Sequence, residues 1–511
     1  MPSNPQPRTI NLLIFLFALI SLSLHLTGLN NYGIGRDEFL HIALGNHPAF
    51  GYMEVPPFIA WIARFSITFF GDSAFAIRIF PAIFSALTVL TAGFIVKETG
   101  GRHFAVTLCG LALCVSPAFL ASGYLLQPVV FDQFWWVLTY FLLIRYSYTG
   151  ENKYLLFLGP VIGLGLLTKY AILFIMIAII AGLLFSKQRK ILFKKQIYIA
   201  ALIAFLIFLP NIIWQYLHHW PVLTHMKELT ETQLIHNTIE GFIKAQLISN
   251  GTALLIWIPG LLLLLFNKNL AQLRWVGLSF IMVLALLIYF KGKPYYAFGA
   301  YPALFALSAY AIESLTLPLN NYLKYTVALL LLLPNLVFMP MFIPVLPIDR
   351  AVVYFKSLHM DDFLYWEDGK KHQTTQDYGD MFGWEEMTAI TAKAYAKIPL
   401  NQRGGTTIFA ENYGEAGAID HLGKKYKLPP TVSLSSSFTL WAPERIPYQC
   451  IIYIDDKGQV EKTKPAYAKA ELIGTVSNKL SREYGTKIWL LTEAKADVNP
   501  GYQSSLKEKR Q

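Results

Sequence analysis

The sequence predicts a polytopic α-helical membrane domain with about 11 transmembrane helices, followed by a soluble α/β domain. Three observations carry this. Hydrophobic residues make up 54% of the chain and charged residues only 15%, where a soluble protein would carry about a quarter charged. From residue 10 to about 346 the chain is a series of apolar runs of roughly 16–22 residues, each near the length that crosses a bilayer. From about 347 onward charges become dense and the long apolar runs stop. Residues 1–346 are therefore read as the membrane domain and 347–511 as one soluble domain.

The expected spans are 10–29, 75–96, 104–121, 129–147, 154–168, 170–186, 197–214, 247–266, 275–290, 296–313 and 324–345. The first is preceded only by Arg8 and lacks a clean small-x-small cleavage site, so it reads as an uncleaved signal anchor. The strongest basic cluster between spans is Lys187-Gln188-Arg189-Lys190 with Lys194-Lys195, which belongs in the cytoplasm. Counting outward, the loops 97–102, 150–153, 267–274 and 315–324 join it there. The opposite face, periplasmic in a bacterial inner membrane, receives the loop 30–74, the segment 122–128, the turn at Lys169, the loop 215–246, the turn 291–295 and the soluble domain. Fusing the short runs 154–168 and 170–186 would reverse the soluble domain's side, so they are kept apart. In the soluble domain, strand-like runs fall at Thr406–Ala410, Cys450–Ile454 and Lys487–Thr492. Helical patterns fall at Glu385–Ala396 and Glu415–Tyr426, and residues 407–414 read as a strand–loop–helix unit.

The net charge of +11 follows from positive-inside bias and attraction to anionic lipid. The soluble domain has no basic stripe with interleaved aromatics, so nucleic acid is not an expected partner; the lipid bilayer is. Cys109 and Cys114 share one apolar run and Cys450 stands alone, which gives neither a disulfide framework nor a CxxC motif. Walker A, dinucleotide-binding and HExxH motifs are absent from the sequence.

The unusual polar residues all fall on the expected outer face. Gly35-Arg36-Asp37-Glu38 follows the first apolar run, and Tyr52, Glu54, Pro56-Pro57 and Trp61 lie in the same loop. A carboxylate at a bilayer surface is partly desolvated and more basic, which suits a general base. Asp37 and Glu38 are the candidate catalytic acids; the plainer reading is a pair of solvated loop acids. The diproline would fix the backbone that aims them, or simply start a helix. Tyr52, Glu54, Pro57 and Asp132 are expected to line a substrate cavity, Asp132 being otherwise a helix-start acid that favours the dipole. Lys169 and the Lys291-Gly292-Lys293-Pro294-Tyr295-Tyr296 turn set lysines on the face where the positive-inside rule disfavours them. Either they anchor at the interface or, with Arg36, they bind a phosphate. Trp214, His218, His219, Trp220 and His225 show no metal-ligand spacing and read as interfacial residues.

In order and spacing these residues resemble the GT-C membrane glycosyltransferases, in particular the dolichyl-phosphate-mannose protein mannosyltransferase superfamily, which includes the bacterial aminoarabinose transferases. The resemblance rests on the first-loop acid pair, Tyr52 with Pro56-Pro57 and Trp61, Asp132, Leu167-Thr168-Lys169, Lys293-Pro294-Tyr295-Tyr296 and Tyr301-Pro302. It covers roughly residues 10–310. The stretches 376–386 (QDYGDMFGWEE) and 411–417 (ENYGEAG) resemble uncharacterised bacterial members. The resemblance implies a polyprenyl-phosphate-linked sugar donor, a lipid, glycan or protein acceptor, and inversion at the anomeric carbon. Asp37 would be the catalytic acidic residue of the first loop, acting as base, and Lys169 with the 291–296 turn would hold the donor phosphate. Val55 stands where aminoarabinose transferases usually carry lysine, which leaves the lipid A acceptor and the aminosugar donor outside what the resemblance implies. A monophosphate leaving group can be stabilised by fixed cations, so no cofactor or metal is expected to be required. Were a divalent metal used, Asp37, Glu38 and Asp132 are acids able to supply ligands. A transporter of lipid-linked sugars is the rival reading; such proteins usually show internal repeats, and none is found here.

Overall fold

The computed structural model describes residues 7–316 and 321–510. Each apolar run of the membrane domain forms helix. Arg8–Thr27, Ala74–Glu98, Lys195–Leu217 and Lys324–Met341 are long and apolar enough to cross a bilayer singly. The apolar pair Ile239–Ile248 and Gly251–Phe266 is bent by 98°, the form of a broken span or a re-entrant loop. Shorter apolar helices include His103–Val115, Lys153–Thr168, Ile172–Leu184 and Arg274–Tyr289. Pro128–Thr149 is long but carries Asp132, Gln133 and Arg145. The expected loop 315–324 lies in part, at 317–320, outside the described residues.

Two expected spans are interrupted. The run 104–121 stops at Val115 and restarts at Pro117, because proline has no N–H to give and holds the preceding Ser116 extended (φ −66°, ψ 132°). The run 296–313 opens with the 3₁₀ turn Pro294–Ala300 before the helix Tyr301–Thr316. The break expected at Lys169 is present. Helix Lys153–Thr168 ends there, Lys169 is extended (φ −160°, ψ 132°), and the next helix starts at Ile172. The two helices then take different neighbours: the first packs on Lys195–Leu217 and Pro128–Thr149, the second on Arg274–Tyr289. The loop 30–74 is itself helical, with Arg36–Asn46 and Phe58–Phe70 joined by the diproline corner.

The soluble domain holds a five-stranded sheet: β1 (Thr406–Ala410), β2 (Thr431–Val432), β3 (Cys450–Asp455), β4 (Tyr467–Thr475) and β5 (Lys487–Ala494). The order is β2-β1-β3-β5-β4. β2, β1 and β3 are parallel, with Ile408 opposite both Thr431 and Ile452, and β5 and β4 are antiparallel. The buried central strands β1, β3 and β5 match the expected runs. β4 is an edge strand with mostly exposed residues and so lacks an apolar signature, while β2 has only two residues.

This domain is bolted to the first outer loop. Helix Tyr413–Leu422 lies against helix Arg36–Asn46. Gly417 makes the approach possible, since a Cβ there would sit 2.9 Å from the Phe39 carbonyl oxygen. Phe39 packs edge-on against Trp384, 5.7 Å between centroids. Arg36 N donates to Asp380 O at 3.1 Å, and His47 stacks on Trp441 at 4.1 Å. The three cysteines are free and buried.

Candidate active site

Asp37 and Glu38 are adjacent in the first turn of helix Arg36–Asn46, so their side chains diverge by about 100°. The two acids therefore meet different surroundings. Glu38 turns inward and is 1% exposed. Its Oε2 accepts from Gly35 N at 2.7 Å and from Arg78 Nη2 at 2.6 Å; its Oε1 accepts from Arg78 Nε and Leu126 N, both at 2.9 Å. Arg78 is fully buried and also donates to Leu29 O and Gly33 O. Burial alone would raise the Glu38 carboxyl, but the charge and hydrogen bonds of Arg78 outweigh it and hold it below the usual range. Both Glu38 oxygens, expected to serve catalysis, are engaged in fixing the start of this helix.

Asp37 is half-buried, and its Oδ1 accepts from the Tyr413 hydroxyl at 2.8 Å. The Arg36 guanidinium lies over the Tyr413 ring, 4.7 Å from its centroid. Arg36 is surrounded by the charges of Glu483, Asp380 and Asp37. Arg36, expected to bind a phosphate, sits at the junction with the soluble domain.

A second group faces Asp37 from the membrane domain. The Lys169 ammonium sits over Tyr295 and Tyr296, 4.7 Å and 4.4 Å from the ring centroids. Asp132 and Lys293 are close enough for their charges to act on Lys169, and Asp37 is likewise close to Tyr295. Asp132 is 3% exposed and accepts from Trp136 Nε1 at 2.8 Å, one helical turn on. The turn carrying Lys293 is held by Gln246 Nε2, which donates to Pro294 O at 2.9 Å, and by Asn237 Nδ2, which donates to Lys291 O at 2.9 Å. Lys291 itself is exposed and left-handed (φ 52°); its carbonyl, not its ammonium, is the part the structure engages.

Three residues expected to line a cavity make contacts that hold the loop. Tyr52 is 1% exposed; its hydroxyl accepts from Ala49 N at 3.1 Å and lies 2.9 Å from the carbonyls of Leu44 and His47, pinning the loop back on its own helix. Pro57 is buried as the cap of helix Phe58–Phe70. Glu54 accepts from the backbone N and the hydroxyl of Ser437, across the domain junction.

The soluble domain adds a wall that the individual residues did not announce. Arg482 Nη2 is 3.2 Å from Glu367 Oε2, and its Nη1 is 3.5 Å from both Asp380 oxygens. Asp377 and Asp380 feel the charge of Asp37. Burial, then Asp37 and Glu367, push Asp377 up to about 6. Burial pushes Asp380 to about 7 against the opposing pull of Arg482. Asp377, Asp380 and Tyr413 belong to the two stretches, 376–386 and 411–417, that stood out by resemblance alone. Among the described residues, the set of His, Cys, Asp or Glu side chains close enough to share a cation is Glu415, Asp456 and Glu483, with oxygens within 4.8 Å of one another. It lies in the soluble domain.

A loop acid held against cations and tyrosines, on a helical membrane domain capped by an α/β unit, defines the class: this is the GT-C architecture. The family model for dolichyl-phosphate-mannose-protein mannosyltransferases matches residues 54–214. Two crystal structures of ArnT from Cupriavidus metallidurans share the fold. The apo form aligns with a TM-score of 0.61 at 12% identity, and the form bound to undecaprenyl phosphate with 0.60 at 13%; each alignment covers 93% of this chain and 97% of that one. No curated protein matches by sequence. The family model thus matches one segment of the chain, and the fold it shares with these structures is GT-C.

Proposed function

We propose that this protein transfers a sugar from a polyprenyl-phosphate-linked donor to an acceptor hydroxyl at the periplasmic face of the bacterial inner membrane, with inversion and with Asp37 as base. One observation carries the reading: Asp37 from the first loop and Lys169, Lys293, Tyr295 and Tyr296 from two later turns converge from positions far apart in the chain. The undecaprenyl phosphate bound in one ArnT structure of the same fold supports the donor class. In the reaction the acceptor oxygen attacks the anomeric carbon from the face opposite the phosphate, the C–O bond to phosphate breaks, and Asp37 takes the acceptor proton. Lys169 and Lys293 meet the charge that grows on the departing phosphate. Tyr413 holds Asp37 in line. Lipid, glycan and protein hydroxyls are all compatible acceptors, and the step needs no metal. The test is Asp37→Asn in the purified protein, supplied with an undecaprenyl-phosphate-linked sugar. Turnover should fall by about 10²–10⁴-fold while donor binding persists. Near-normal turnover would move the base to another acid such as Asp377 or Asp132.

A further inference from the structure

Helices Ile172–Leu184 and Arg274–Tyr289 pack against each other. At one end they lead from Lys169 and into the 291–293 turn. Their other ends, about 20 Å away by helix rise, frame a cavity of about 410 Å³. Lys187, Arg189, Lys190 and Arg274 line it, with Phe185 and Ser186 among its other walls, and no acid does. Among the described residues none of the four cations has a carboxylate within ion-pair distance, although exposed lysines elsewhere in the chain find one. Positive-inside bias accounts for cations at this end of the helices. It does not account for the convergence of four of them on one cavity that no acid lines. An oxyanion in the cavity would balance that charge.

The surroundings identify the carrier of that anion. Phe185 in the cavity wall is 79% exposed, and Leu184 next to it in the chain is 46% exposed. An apolar rim next to clustered cations, at the end of membrane helices, matches a charged headgroup with its acyl chains alongside. We propose that this cavity binds the phosphate of an anionic phospholipid at the membrane surface opposite Asp37. The inference is independent of the transfer reaction and is read out without it.

The experiment uses the full-length protein in neutral detergent, titrated with short-chain phosphatidylglycerol, short-chain phosphatidylcholine or inorganic phosphate, with bound lipid counted by native mass spectrometry. Phosphatidylglycerol should bind at least tenfold more tightly than phosphatidylcholine. Lys187→Gln/Lys190→Gln should weaken it about tenfold or more, as expected for lost charged contacts, and Arg274→Gln should do the same. Lys194→Gln/Lys195→Gln removes equal charge outside the cavity walls and should leave the affinity unchanged. Equal weakening by both lysine pairs would overturn the site in favour of diffuse attraction. Inorganic phosphate binding as tightly as phosphatidylglycerol would overturn the lipid assignment. Unaltered affinity in both Lys187→Gln/Lys190→Gln and Arg274→Gln would overturn the proposal outright.

Discussion

Tyr413→Phe isolates the link between the soluble domain and the proposed base. The substitution removes one oxygen, which donates to Asp37 Oδ1 at 2.8 Å, and leaves the ring beneath Arg36 in place. A hydrogen bond to a charged group contributes about 1.5–3 kcal/mol, or roughly ten- to 150-fold in rate if all of it is expressed in the transition state. Asp37 is half-buried, so water can replace the lost donor, and the expectation falls at the lower end: kcat down about tenfold. Donor KM should stay within about twofold, because the lysines are untouched. Steady-state rates with an undecaprenyl-phosphate-linked sugar give both numbers. The decisive arm is the double mutant. If Tyr413 acts only through Asp37, Tyr413→Phe adds nothing once Asp37→Asn is present. Wild-type kcat in Tyr413→Phe, or a further additive loss in the double mutant, would refute the link.

Three further outcomes are expected. Lys169→Met and Lys293→Met should each raise donor KM or lower kcat by about ten- to a hundredfold with acceptor KM nearly unchanged, and a selective effect on acceptor KM would exchange the two halves of the site. Arg78→Met leaves Glu38 charged and buried, so it should cost about 3–5 kcal/mol in chemical denaturation, whereas Arg78→Met/Glu38→Gln should recover part of that loss. Asp380 has its native pKa raised from 3.8 to about 7, so the folded protein holds this proton more tightly than the unfolded chain. Its contribution to stability is intact below about pH 4 and is lost as pH rises through 7; Asp380→Asn should therefore flatten the fall in Tm between pH 5 and 8, and an unchanged slope would remove Asp380 as its source.

Much of the membrane domain was legible in the sequence because lipid imposes length and apolarity run by run. The break at Lys169 was legible for the same reason: a lysine between two short runs on the wrong side of the charge rule needs a local cause, and the structure supplies Tyr295, Tyr296 and Asp132. What composition could not resolve was direction. Asp37 and Glu38 read as equals, yet one helical step sends Glu38 to Arg78 and Asp37 to Tyr413. Arg78 is a charge inside the apolar helix Ala74–Glu98. A buried arginine in such a helix requires a carboxylate partner, so the pairing with the loop acids was in principle available as a signal.

The soluble domain's share of the site was illegible because it depends on docking. Asp377, Asp380, Tyr413 and Arg482 carry no spacing that encodes a partner 340 or more residues away in the chain. Their meaning comes from Gly417, where the lack of a side chain lets one helix settle on the Phe39 backbone, and from Glu54, whose carboxylate is committed to Ser437. The same loop that presents Asp37 is therefore clamped from below by the Glu38–Arg78 pair and from above by the soluble domain. A base on a free loop would sample many positions; this one is fixed by contacts on both sides before any substrate arrives, which is the condition for a carboxylate to act on a hydroxyl delivered at the bilayer surface. The soluble domain is thus part of the proposed catalytic apparatus through position, and the membrane domain alone would present Asp37 without Tyr413 to aim it.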